Sequence, residues 1–309
     1  MDSVCILMST YNGEKYLKEQ VDSIFNQKNV DVTLIIHDDG SSDSTAKILK
    51  EYQKMYKVEI PEGAPGKHNP IGVGSNFLKL LRYALENYKE VNYFGFADQD
   101  DIWLEGKINT AIVHLRNLNS NKGLYFSKKK IVDEKLNYLR EDYVNFHDDY
   151  STDYISQNDA SGCTMVFTRA FAEMLMNAPV EKFPYLHDVY ICKVALCTDT
   201  KIYCDENETM LYRQHNWNVE GVRNVSIFSK ENICKIFKKR RHYLYRITDN
   251  IFEYYGNDML DEYKFYLNLI IHYKNPVYTL RILRMYYGSP YRSIKEKLRI
   301  TMMLIMHGI

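Results

Sequence analysis

The sequence predicts an α/β protein: a doubly wound, mostly parallel sheet followed by a helical C-terminal region. Three observations carry this reading. Across residues 1–120, short apolar runs alternate with amphipathic stretches of about a dozen residues, the βαβ pattern of a parallel sheet. Polar clusters close three of the apolar runs, at Ser9–Asn12, Asp38–Asp43 and Asp98–Asp101. From Ile227 nearly to the end the spacing is helical, interrupted at Pro276 and at Gly288-Ser289-Pro290.

The elements follow in order. Val4–Ser9 is a compact apolar strand, and Thr10-Tyr11-Asn12-Gly13 is turn chemistry. Glu14–Gln27 carries Tyr16, Leu17, Val21, Ile24 and Phe25 at helical spacing. Val32–His37 is a second strand, after which Ser42 or Asp43 can cap a helix running to about Met55. Lys57–Ile60 is a short third strand and Pro61–Ile71 a loop; Gly74–Tyr88 is a helix. Tyr93–Ala97 is aromatic, uncharged and suited to a buried strand, and a helix is expected from Leu104 to about Leu118. Beyond Gly123 the alternation weakens. Leu124–Ser127, Cys163–Thr168, Lys201–Cys204 and Thr209–His215 are expected as strands, with Leu139–Ser161 a polar, Tyr/Asp-rich loop. Helices are expected at Ala170–Asn177 and from Pro184 through Leu196.

Composition narrows the class. The 309 residues suit one large domain or a domain with an appendage. No apolar run is long enough to span a bilayer and no signal peptide is visible. The six cysteines show no C-x-x-C pairing, so reduced, buried thiols and a cytoplasmic setting are expected. Formal net charge is zero but unevenly spread: Val222–Ile309 holds 16 Lys+Arg against 7 Asp+Glu. The remainder is correspondingly acidic, which disfavours nucleic acid as a partner. The basic tail includes Lys235, Lys238, Lys239, Arg240 and Arg241, and such a tail suits the surface of an anionic membrane; a basic helical bundle that only covers the first part of the chain is the plainer alternative.

The chemistry concentrates at Asp98-Gln99-Asp100-Asp101. Carboxylates this close repel one another, so a positive partner should share the site, and a divalent ion with oxygen ligands is the natural candidate. A solvated acidic turn capping the next helix is the alternative. In a doubly wound sheet, ligands bind beyond the carboxyl ends of the strands, so the three polar clusters should converge there.

Ser9-Thr10-Tyr11-Asn12-Gly13, Asp38-Asp39-Gly40-Ser41-Ser42-Asp43 and Asp98-Gln99-Asp100-Asp101-Ile102-Trp103, in that order and spacing, resemble the family 2 glycosyltransferases of the Rossmann-like GT-A fold, particularly bacterial rhamnosyltransferase-like members. Leu186-His187-Asp188 and Tyr212-Arg213-Gln214-His215, with Asn218 and Gly221 behind, fit as well, so the resemblance covers about residues 1–220. Thr10 stands where many members of that family carry Pro. The resemblance implies a catalytic domain over 1–221, with a nucleotide-sugar half (1–120) and an acceptor half (121–221), and a basic helical region over 222–309. It implies a nucleotide-diphosphate sugar donor, a saccharide acceptor that can be lipid-linked, inversion at the anomeric carbon, and Mn²⁺ or Mg²⁺.

The same resemblance assigns roles. Tyr11 lies against the base, Ser9 and Thr10 line its pocket, and Asp39 accepts from the base N–H. Asp98 holds the ribose or assists the metal, Asp100 is the principal metal ligand, and Asn76 is a further donor-site residue. Asp188 is the catalytic base, with Asp159 in reserve. His215, after Arg213 on an apolar strand, is a diphosphate or metal contact. Plainer roles stay open: core packing for Tyr11, helix caps for Asp101, Ser42, Asp43 and Asp188. Two other readings also stay open, a sugar nucleotidyltransferase and a non-catalytic nucleotide-sugar-binding subunit. The first lacks a Gly-rich, basic triphosphate loop after strand one, while the intact acids speak against the second. A homo-oligomer is compatible with every one of these readings.

Overall fold

A mixed sheet forms the larger part of the computed structural model, which describes residues 1–61, 73–142, 144, 146, 160–180, 186–215, 243–288 and 293–305. Asp159, Asn218, Gly221, one of the six cysteines (Cys234) and the basic run 235–241 lie outside the described residues. Two units are distinguished: Met1–Val144 with Asp159–Ala195 and Thr200–Gly221, and Asn145–Asn158 with Leu196–Asp199 and Val222–Ile309.

The first unit runs β1 (Asp2–Thr10), α1 (Leu17–Phe25), β2 (Val30–Asp38), α2 (Thr45–Tyr52), β3 (Val58–Glu59), α3 (Val73–Asn87), β4 (Tyr93–Ala97), β5 (Ile102–Trp103) and α4 (Lys107–Asn117). It continues with β6 (Gly123–Val132), β7 (Tyr138–Arg140), a 3₁₀ turn at Gly162–Thr164, β8 (Val166–Thr168), α5 (Arg169–Leu175), α6 (His187–Cys197) and β9 (Lys201–Arg213). Among the described residues the strand order is β3-β2-β1-β4-β8-β6-β9-β5, with β7 on β6. β1 pairs in parallel with β2 and β4, β2 with β3, and β6 with β9. β8 is antiparallel to β4 and β6, and β5 to β9. Most paired residues are parallel, as the alternation predicts.

Burial explains the order. Val4–Met8 of β1 and Leu34–Ile36 of β2 are buried throughout, as expected of parallel strands covered on both faces. Leu17, Val21 and Ile24 of α1, with Ile108, Ala111, Ile112 and Leu115 of α4, bury their apolar stripes in the same core as alternate residues of β1 and β2. The described cysteines are free thiols, and all but the half-buried Cys204 are buried.

Several boundaries move. Lys201–Cys204 and Thr209–Arg213 belong to one strand, because pairing with β6 shifts register at Ser127–Lys130, opposite Asp205–Leu211, and then resumes; Gln214 and His215 lie just beyond its end. Cys163–Thr168 divides into the 3₁₀ turn and a three-residue β8. Ile102–Trp103 pairs with Met210–Leu211 instead of continuing the acidic turn, so the next helix starts only at Lys107 and Asp101 does not cap it.

The start of α4 is moored to α1. Gly106 at the N-cap has φ +84° and no side chain to cap the helix. Buried Gln27, just past α1, does this instead: its Oε1 accepts from Ile108 N–H at 3.1 Å and its Nε2 donates to Leu104 C=O at 2.9 Å. Ser23 Oγ accepts from Trp103 N–H at 3.0 Å.

The second unit contains α7 (Tyr243–Tyr255), α8 (Asp261–Ile271), α9 (Pro276–Gly288) and α10 (Ile294–Ile305). α8 packs on α7 and α9, and α9 on α10. Pro276 opens α9, where its missing N–H costs nothing. No helix among the described residues is long and apolar enough to cross a membrane.

Replacing Gln27 by Leu strands the buried Ile108 N–H at the foot of the acidic loop and takes one of two donors from Leu104 C=O, which keeps Lys107 N–H. The Gln27→Leu variant is expected to lose about 1–3 kcal/mol of stability, read as a lower urea midpoint at unchanged slope.

Candidate active site

Sheet register brings the three polar clusters together. β2, β1 and β4 are parallel neighbours, with Thr10 opposite Asp38, Ser9 opposite His37, and Ala97 opposite Met8. Asp98 therefore leaves the sheet beside Ser9 and Thr10. Thr10 Oγ1 donates to Asp38 Oδ1 at 3.1 Å, and Asp39 N–H donates to Thr10 C=O at 2.8 Å. The turn after β1 is laced to the one after β2. Asn12, at φ +48°, accepts Ser42 N–H on its Oδ1 at 2.8 Å, and its own N–H meets Ser41 Oγ at 2.9 Å. Asp43 accepts from Thr45 N–H, the first of α2, and from Glu14 N–H, while the N-cap position falls on Ser44, whose side chain makes no cap bond, and not on Ser42 or Asp43.

Gln99, between the acids, closes the third side. Its Oε1 accepts Tyr11 N–H at 2.9 Å and its Nε2 donates to Tyr11 C=O at 3.0 Å. Gly13 lies under this amide: a Cβ there would sit 2.5 Å from Gln99 Oε1.

The acids have separate surroundings. Asp101 is fully buried; Oδ1 accepts Arg213 N–H at 3.1 Å, and Oδ2 has no hydrogen-bond partner among the described residues. Burial and the neighbouring Asp100 and Asp98 push its carboxyl well above the usual range. Asp100 Oδ2 lies 2.7 Å from His215 Nε2. Asp98 is half-buried, and burial together with the Asp100 charge lifts it to about 7. Asp98, Asp101 and Cys163 each bring one ligand-type atom within 4.8 Å of the others. Lys107 is buried near Asp101 and Cys163, its ammonium 5.1 Å from the Trp103 ring, and burial lowers it to about 8.

Arg213 ties this loop to the end of β9. Its Nε donates to Asp100 C=O at 2.9 Å, one terminal nitrogen to Glu134 C=O at 2.9 Å, and the other pairs with Glu19. The guanidinium lies 4.4 Å from the centre of the Tyr16 ring, which stacks on His215 at 5.2 Å.

Asp188 stands in the first turn of α6. Its Oδ1 accepts Val189 N–H at 2.7 Å. Burial raises its carboxyl, opposed by the Val189 and Gly162 N–H groups and by the Lys129 charge. The Asp188 charge adds a smaller upward push to Asp98, behind burial and the Asp100 charge. His187 is stacked on Phe77 at 4.4 Å with Nε2 unpartnered among the described residues, and burial lowers it to about 3. Asp39 is buried, with Oδ1 3.9 Å from His37 Nε2. Asn76 is buried in the first turn of α3, and no hydrogen bond joins it to the other candidates among the described residues.

Residues 5–175 match the family described as glycosyl transferase family 2. The chain belongs to that family. Over 236 residues it is 35% identical to the dTDP-rhamnosyl transferase RfbG of Shigella flexneri, covering 72% of this chain and 76% of that one. Among solved structures, S. aureus TarS 1-349 in complex with UDP-GlcNAc shares the fold at TM-score 0.56 and 16% identity, covering 88% of this chain and 70% of that one. The mannosyltransferase PcManGT from Pyrobaculum calidifontis, in complex with GDP-Man and Mn²⁺, matches at TM-score 0.50 and 12% identity over 98% and 79%. The fold of this family 2 chain is therefore GT-A, with a helical C-terminal region.

Sequence reasoning brought Ser9, Thr10, Asp39, Asp98, Asp100 and His215 to one place. It missed the residues that hold them: Gln99, Lys107, Lys129, Cys163 and the buried guanidinium of Arg213. An arginine closing the apolar run Met210-Leu211-Tyr212 is a readable signal. Lys107 at a helix start gives none.

The Asp98 shift has a direction that can be measured. The folded carboxyl keeps its proton to about 7, while the ordinary value is 3.8. The folded state therefore binds the proton more tightly between these values, and stability falls as pH rises through them. In a chelator, Asp98→Asn is expected to melt above wild type at about pH 8 and level with it near pH 4.

Proposed function

We propose that this protein is an inverting glycosyltransferase that moves a sugar from a UDP- or dTDP-sugar to a saccharide acceptor in the assembly of a surface polysaccharide, on the cytoplasmic side of the membrane. The supporting observation is the meeting of three strand-end clusters at the carboxyl edge of β2, β1 and β4, laced together by the Thr10–Asp38 and Gln99–Tyr11 bonds. The similarity to a dTDP-rhamnosyl transferase supports the donor class.

The donor half binds and orients. Tyr11 offers a ring to the base, with its backbone fixed through Gln99, and buried Asp39 offers an acceptor to the base N–H. Ser9 and Thr10 form the edge of that pocket, and Asn76 is kept as a further donor contact. The residues fit a hard divalent ion such as Mn²⁺ or Mg²⁺. Asp100, Asp98 and His215 would supply carboxylate and imidazole donors: Asp100 Oδ2 and His215 Nε2 are 2.7 Å apart, and Asp98 lies with Asp101 and Cys163 in one cluster of ligand-type atoms within 4.8 Å. When bound there, the ion would stabilise the departing diphosphate as a Lewis acid. Asp101, turned inward to Arg213 and close to Lys107, positions the loop.

Asp188 is the base. Its raised carboxyl makes it a stronger proton acceptor, while two backbone N–H groups and Lys129 favour its ionised form. The acceptor oxygen bonds to the anomeric carbon as the bond from that carbon to the diphosphate oxygen breaks. The proton goes to Asp188 and the electron pair leaves with the nucleoside diphosphate.

Incubation with a panel of UDP- and dTDP-sugars and Mn²⁺ should release UDP or dTDP. Asp188→Asn should keep donor binding and melting temperature yet lose transfer by about a hundred-fold or more. Near-normal transfer by this variant would place the base elsewhere. Asp100→Ala should abolish turnover without unfolding the protein, and full activity of Asp100→Ala, or of wild type in EDTA, would remove the metal assignment.

A further inference from the structure

We propose that the outward faces of α9 and α10 form a docking surface for an anionic lipid bilayer. Both helices already have a buried side: Ile282 and Tyr286 on α9, Ile300 and Leu304 on α10. Each carries a second apolar set that faces solvent. On α10, Ile294, Leu298 and Met302 recur every four residues on one stripe, with 79%, 55% and 52% of their surface exposed. On α9, Val277 and Leu280 are 56% and 66% exposed.

Single exposed apolar residues are ordinary, but a stripe on one helix beside a second set on its neighbour makes a patch that marks a contact surface. The two helices are fixed to each other: Tyr287 Oη lies 2.9 Å from Thr301 Oγ1, and Lys297 Nζ donates to Tyr287 C=O at 2.9 Å.

Charge selects the occupant. Arg281 and Arg284 are exposed on α9, as is Lys295 on α10. Between Pro276 and Ile305 the sequence holds one acidic residue, Glu296, against Arg281, Arg284, Arg292, Lys295, Lys297 and Arg299. Apolar side chains interleaved with cations match an anionic interface, where the first enter the acyl boundary and the second meet phosphate headgroups. A second copy of the chain would instead set one basic face against another, which like-charge repulsion opposes. α10, at 12 residues, is too short to span, so attachment is along the surface. Such attachment would bring the enzyme to a saccharide carried on lipid. The inference does not depend on the transfer reaction, because vesicle binding is read without a donor.

The test floats the full chain with phosphatidylcholine vesicles, with and without added phosphatidylglycerol, at low and high salt. Wild type should rise with the anionic vesicles only and be released by salt. The triple variant Ile294→Ser/Leu298→Ser/Met302→Ser and the double variant Arg281→Glu/Arg284→Glu should each bind about ten-fold less or weaker. Should the serine variant melt early, the charge variant, which leaves every apolar contact in place, decides alone. Wild type that stays unbound, or that floats equally with neutral vesicles, overturns the proposal. So does charge reversal without effect. Sedimentation showing that the serine variant breaks a dimer while still floating would assign the face to self-association and equally overturn it.

Discussion

Three carboxylates crowd the end of β4, a strand with no charge of its own, and the surrounding structure is arranged around keeping them there. Each is handled differently. Asp101 turns inward, accepts a backbone N–H from Arg213 and has Lys107 nearby. Asp100 faces His215, and Asp98 sits beside it with its carboxyl raised. The chain has to bring distant segments to this point. β9 does so by running thirteen residues from the edge of β6 to Arg213, two residues short of His215. Arg213 then spends its guanidinium on Asp100 C=O, Glu134 C=O and Glu19, fixing the acidic loop, the β6–β7 turn and α1 to one another.

This arrangement connects the two halves of the proposed chemistry. Binding requires donor-side acids close enough to share one ligand, and proton transfer requires a separate carboxylate that is free of that task. In the proposed chemistry Asp188 takes the second task, from a different element, the start of α6. The 3₁₀ turn at Gly162–Thr164 lies between them in function: Gly162 supplies an N–H to Asp188, and the Cys163 thiol approaches Asp98 and Asp101. A Cβ at Gly162 would stand 2.6 Å from His187 Nε2, so the close approach of this turn to α6 depends on glycine.

Much of this was legible in the sequence, for identifiable reasons. The parallel half announces itself because strands buried on both faces must be apolar runs and their helices must show stripes; Tyr93–Ala97 was readable to its ends. Convergence of Ser9–Asn12, Asp38–Asp43 and Asp98–Asp101 followed from topology alone. What did not show was pairing through β5 and the continuity of β9. Two residues of strand carry no period, and Asp205–Glu208 looks like a turn yet is a bulge across which pairing with β6 shifts register and resumes. The supporting shell was equally silent. Gln27, Gln99 and Lys107 act through contacts 77 to 102 residues away in sequence, and nothing local distinguishes them from surface polar residues.

The moorings on the α1 side have a further consequence. Ser23 to Trp103, and Gln27 to Leu104 and Ile108, are bonds between neutral groups, the first and last of them buried. Dissolved ions screen charge pairs but leave amide and hydroxyl bonds largely untouched. These neutral bonds are thus insulated from the ionic strength of the surroundings, whereas the Arg213–Glu19 pair, which ties the acidic loop to the same helix, is open to it. Electrolyte can weaken the grip on a charged ligand while the Ser23 and Gln27 bonds beneath the loop stay in place.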